Sequence, residues 1–143
     1  MKPNPPSIPR PRHRELRIRP VAKNKQKAKR LYALEASKFI AESLADPHRG
    51  YCPIMLTFGR NVLVTQVHHM RGRVGPLLID RRFWLAVSAE GHTWIHANPQ
   101  LACKQGWIAP IGKWNTPPRD SETDRLRSLI SLRKQTKAKA KIT

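Results

Sequence analysis

Residues 67–108, VHHMRGRVGPLLIDRRFWLAVSAEGHTWIHANPQLACKQGWI, hold four of the chain's six histidines and read in the order strand, long loop, strand, helix. The first strand begins upstream of the quoted stretch. Val62, Val64 and Gln66 alternate with Leu63, Thr65 and Val67, a period of two in a stretch rich in β-branched residues. Gly59-Arg60-Asn61 marks the turn before it. After the histidine doublet comes an irregular basic segment, MRGRVGP, and then FWLAVS (83–88), short and apolar enough for a second strand. Residues 90–97 read as a helix whose C-terminal residue is Asn98, before Pro99, and PQLACKQGW supplies a further short helix.

Working outward, residues 27–45 place Leu31, Leu34, Ala36, Phe39, Ile40 and Leu44 near helical spacing, which predicts an amphipathic helix ended by Asp46-Pro47. HRGYCP then reads as a loop. The expected class is α+β, a small strand-strand-helix core preceded by an amphipathic helix. At 143 residues the chain is long enough for one well-buried core and too short for two. All four Trp, both Cys and most aliphatic residues fall between 31 and 117. Residues 1–29 read as a disordered, Pro-rich basic arm, and 118–143 as a basic tail with helix allowed at its start.

The formal net charge is +19, and it is concentrated at the ends: residues 1–30 carry eleven Lys and Arg against the single acid Glu15. Two flanking runs of one sign fit a polyanionic partner better than simple solubility does, and they would give affinity without sequence choice. DNA is the expected partner, with RNA left open. No stretch approaches the apolar length that spans a bilayer, so no membrane partner is expected. Two cysteines cannot build a disulfide framework, and the basic N-terminus lacks the apolar segment of a secretory signal. The expected location is therefore cytoplasmic, or at the nucleoid of a host cell. Oligomeric state has no sequence signature here.

The histidines carry the chemistry. His92 and His96 lie four apart on the helix and share a face, as joint metal ligation requires, with Trp94 and Ile95 turned to the core. Neighbours on a strand point to opposite faces, so His68 and His69 act near one site only at a bend or strand end, which Met70-Arg71-Gly72 permits. A lone helical His pair is most often ordinary packing or surface, but a second pair 23 positions upstream weakens that explanation. Three imidazoles around a metal leave a position open for water or phosphate oxygen, and a remaining free histidine can deprotonate water.

The same run resembles the small HNH endonucleases common in phage genomes. The matching features are the VHH doublet, the RGR-G segment, an acidic residue before FWLAV, and GHTWIHANP followed by a short helix ending in GW. The upstream RLYALEASKFIAES and YCPIM segments extend the likeness to about residues 30–109. The resemblance implies a ββα-metal finger within an HNH-like nuclease domain at 30–117. It implies His68, His92 and His96 as ligands of one divalent ion (Mg, Mn, Zn or Ni) and His69 as the general base. Arg71 and Arg73 would lie where phosphate is gripped.

Two departures from the pattern are visible. Many relatives hold a structural zinc with two C-x2-C pairs, and in register this chain offers Cys52-Pro-Ile-Met55 and Ser88-Ala-Glu-Gly91. One thiolate of four cannot hold that ion, so no structural zinc is expected, with Trp84, Trp94 and Trp107 filling its place by packing. Phe83 stands where the family's central Asn belongs. The leading expectation is a metal-dependent endonuclease hydrolysing phosphodiester bonds in DNA. Its rivals are a non-catalytic nucleic-acid-binding module on a degenerate finger and a basic packaging or structural metal-binding protein.

Overall fold

The computed structural model describes residues 22–131, which form a small α+β fold. Helix α1 (Lys23–Ala45) leads to the short α2 (Pro53–Thr57) and then to a two-stranded antiparallel sheet, β1 (Gln66–His69) and β2 (Trp84–Val87). Helices α3 (Ala89–Ala97), α4 (Pro99–Lys104) and α5 (Ser121–Ser131) follow. The β1–β2 connection contains two 3-10 turns, Gly75–Leu78 and Arg81–Phe83. No helix among the described residues is long and apolar enough to cross a membrane.

The register pairs Val67 with Ala86, His68 with Leu85 and His69 with Trp84. Side chains of paired residues share a face, so the pleat sorts the sheet in two. Val67, His69, Trp84 and Ala86 lie toward α1, where Phe39 and Tyr32 meet the Trp84 ring edge-on at 5.4 and 5.6 Å. Gln66, His68, Leu85 and Val87 lie toward α3. Phe39, Ile54, Val64, Val87, Ile95 and Ala102 join both sides into one core.

Several boundaries differ from the sequence reading. Helix α1 begins at Lys23, so residues 23–29, assigned above to the basic arm, are helical; the expected helix start at 27 came from apolar spacing, which a polar first turn of good helix formers does not display. The rest of the arm, 1–21, and of the tail, 132–143, lie outside the described residues. Helix α2 was unforeseen: Pro53 occupies its first turn, where a missing N–H costs nothing, and Gly59 at φ +71° turns the chain after it. The alternating stretch from Val62 is extended, but only 66–69 form the paired strand. Residues 62–64 bond instead to 50–52, with Cys52 N–H donating to Val62 O at 2.8 Å and Val64 N–H to Gly50 O at 3.0 Å. Helix α5 falls in the stretch read as a tail, yet it buries Thr123 and Leu126 against the first 3-10 turn and α1.

Ser88 caps α3 by accepting from Gly91 N–H at 3.1 Å, with Glu90 in the first turn. A Cβ on Gly91 would lie 2.5 Å from the fully buried Cys52 Sγ and 3.3 Å from Ser88 Oγ, so glycine is required by close approach. Two of the positions aligned above with a cysteine cage, Cys52 and Gly91, therefore pack directly on each other. Both cysteines are free thiols. Of the three tryptophans expected to fill in, Trp94 and Trp107 pack edge-on at 5.7 Å on this side, while Trp84 serves the α1 face.

Candidate metal centre

The donor atoms of His68, His92 and His96 all lie within 4.8 Å of one another, close enough to hold a metal ion. Ring centroids are 5.2 Å apart for His68 and His92, 5.8 Å for His68 and His96, and 4.9 Å for His92 and His96. Two elements meet to make this: the α3 face that carries residues four apart, and the α3-facing side of β1.

Backbone and side-chain acceptors fix which ring nitrogen is free. His68 Nε2–H donates to Trp107 O at 3.1 Å, leaving Nδ1 with its lone pair. His92 Nδ1–H donates to Gln66 Oε1 at 2.8 Å, leaving Nε2. Such outer partners orient ligand rings and raise their basicity. Burial pushes the His68 imidazolium down from 6.5 to about 4, helped by His92, although the Trp107 carbonyl pulls the other way. His92 is lowered too, first by burial, then by His96 and Arg73. Both imidazoles are therefore neutral at pH 7, the form that ligates. Three imidazole nitrogens, two of them on rings held neutral and oriented, fit a divalent transition ion better than an all-oxygen cation such as Mg.

His69, the last residue of β1, faces away from this cluster. It is almost fully buried, packed against Tyr32 and Trp84 with centroids at 5.4 and 5.7 Å. Its Nε2–H donates to Leu78 O at 3.3 Å, so Nδ1 is the free nitrogen. Burial again drives it from 6.5 to about 4, with Arg73 and His92 adding to the fall and the Leu78 carbonyl opposing it. Arg73 is exposed, lies over the Tyr32 ring at 5.0 Å, and its charge lowers both His69 and His92. Arg71 is committed elsewhere. It donates to Thr116 O at 2.9 Å and stacks over Phe83 at 4.6 Å, tying the 109–116 segment to the β1–β2 loop.

Phe83 brings no amide, but its backbone carbonyl accepts from Met70 N–H at 2.8 Å just beyond the doublet. The loop is steadied instead by charge. Asp80, 2% exposed, receives Arg82 Nε at 2.9 Å and Nη2 at 2.7 Å, and Arg82 passes on to Asp120 at 2.9 Å. Asp120 also accepts from Thr123 N–H at the start of α5, and Arg82 holds its carboxyl down at about 2. Sequence reasoning missed this network, Gln66, and the carbonyls of Leu78 and Trp107. Gln66 was findable, because it sits two residues before His68 on the same strand face; backbone carbonyls leave no trace in a sequence.

Comparison with known proteins adds no identification: no protein-family model matches the chain, and neither curated proteins nor solved structures give a match.

Proposed function

We propose that the chain is a metal-dependent endonuclease of the HNH type, hydrolysing phosphodiester bonds in DNA, with β1, β2 and α3 as its ββα-metal finger. The observation that carries this reading is the convergence of His68, His92 and His96 on one point, with His69 next in the chain and an exposed cation, Arg73, whose charge reaches both His69 and His92. A divalent ion held by those three imidazoles would act as Lewis acid on the phosphate and on its leaving oxygen.

The chain's own residues supply the rest. His69 accepts the proton of the attacking water at Nδ1, because Nε2 is spent on Leu78 O. Its low pKa keeps it unprotonated at pH 7 in the free protein, and an arriving phosphate, being anionic, raises it toward the range of an effective base. Arg73 draws the phosphate in and offsets its charge. Gln66 and Trp107 O keep His92 and His68 aimed. Phosphate contacts along the basic flanking sequence would add affinity without base choice.

One observation favours the non-catalytic nucleic-acid-binding module: the proposed base is only 6% exposed, and Phe83 stands where the family keeps an amide. Plasmid nicking separates the two. Purified protein with Mn, Zn, Ni or Mg converts supercoiled plasmid to open circles and EDTA stops it; protein that binds plasmid yet leaves it supercoiled with every metal is the binding module.

A further inference from the structure

Two cavities flank the β1–β2 loop, and their chemistry differs. One, about 500 Å³, is lined by both signs of charge, with Arg81 paired to Glu35 and Glu42 and Arg82 to Asp80. The other, about 660 Å³, lies between the first turns of α1, the 73–78 segment and the end of α5. Lys25, Lys29 and Arg73 line it together with Tyr32, Leu78 and Ile130, and no carboxylate does. Among the described residues none of its three cations forms an ion pair.

This cavity adjoins the proposed base. Leu78, in its wall, supplies the carbonyl that holds His69 Nε2–H, and Tyr32 packs on the His69 ring at 5.4 Å. Arg73 lies over the other ring, Tyr32, at 5.0 Å. Its size falls within the range of small-ligand sites. Its occupant has to combine negative charge with a flat apolar body. The chain's own ends do not qualify: residues 1–21 hold six Lys and Arg against one acid, and 132–143 hold five and none.

We propose that the cavity receives the nucleotide adjoining the scissile phosphate, with its base out of the helical stack. Its phosphate meets Lys25, Lys29 and Arg73, and its base lies against Leu78 and Ile130. This rests on the nuclease reading and makes DNA with an unpaired nucleotide at the cut its preferred substrate, paired DNA being cut at the cost of unstacking one base. A base inside a duplex must be unpaired and unstacked to enter, whereas a bulged or single-stranded base enters at little cost.

The test is binding by the full chain in EDTA, which reads the cavity without cleavage. Two otherwise identical fluorescein-labelled duplexes are compared by anisotropy, one fully paired and one with a single bulged 2-aminopurine. The bulged duplex binds at least about tenfold more tightly, as one sequestered base would give, and its 2-aminopurine fluorescence changes on binding. Ala28→Trp, which fills the cavity from α1, brings the two affinities together. Equal affinities in the wild-type protein, or a preference that survives Ala28→Trp, overturn the proposal. Plasmid nicking is unaffected by that result and judges the nuclease reading separately.

Discussion

Acidifying the metal-free protein is expected to strip away a large part of its stability between pH 6.5 and pH 4. His68 and His69 are 1% and 6% exposed, and burial is the main reason both titrate at about 4. In the unfolded chain the same imidazoles titrate near 6.5. The unfolded state therefore takes up protons first as pH falls. The full contribution is present above pH 6.5, declines down to about pH 4, and levels off below. At 1.36 kcal/mol per pH unit, each group is worth about 2–3 kcal/mol after allowance for partial hydration, so the two together approach the net stability of a small domain. Urea unfolding followed by tryptophan fluorescence in EDTA, at half-unit steps from pH 7.5 to 4, reads this directly. The midpoint falls most steeply between 6.5 and 4, and in a His68→Gln/His69→Gln protein the slope in that window largely disappears. Saturating zinc moves the His68 share of the fall to lower pH, because the ion competes with protons for that ring, and leaves the His69 share in place. A wild-type midpoint that is flat or rises on going from pH 6.5 to 4.5 refutes the reasoning, as do imidazole NMR titrations centred near 6.5.

Gly91→Ala places a methyl 2.5 Å from the buried Cys52 Sγ and is expected to cost about 1–3 kcal/mol by thermal unfolding; adding Cys52→Ala relieves part of the loss, and full wild-type stability for the single variant would contradict the packing described. Gln66→Ala frees His92 Nδ1 and should weaken zinc binding by about 10- to 100-fold in calorimetry, with unchanged affinity showing that Gln66 does not orient the ligand. Arg82→Ala leaves Asp80 buried without its cation and is expected to cost about 3 kcal/mol in urea unfolding; a loss within error of zero would mean the Asp80–Arg82–Asp120 chain does not brace the loop.

What was legible in the sequence was whatever periodicity or spacing encodes. The α3 face was readable because His92 and His96 sit one turn apart, and the sheet because β-branched residues alternate into the doublet. The division of the doublet between two faces follows from the pleat alone. Signals carried by long-range geometry were not legible. The first turn of α1 is polar throughout and shows no apolar stripe. Helix α5 lies in a stretch whose overall basic excess reads as a tail, yet Leu126 and Thr123 find a binding surface on the folded β1–β2 loop and α1. Arg71 and Arg73 look alike in sequence, and only the fold commits one to Thr116 O while leaving the other exposed near the histidines. The register aligned Cys52 and Gly91 with two positions of a cysteine cage, but the direct packing of one on the other was not expected.

The division of labour among the four histidines is tested most directly by measuring metal content and plasmid nicking on the same preparations of wild type, His69→Ala and His92→Ala. The account predicts that wild type holds about one ion per chain and cuts, that His69→Ala keeps its ion and does not cut, and that His92→Ala loses both. A His69→Ala protein that nicks at the wild-type rate, or a His92→Ala protein with its ion still tightly held, would contradict it.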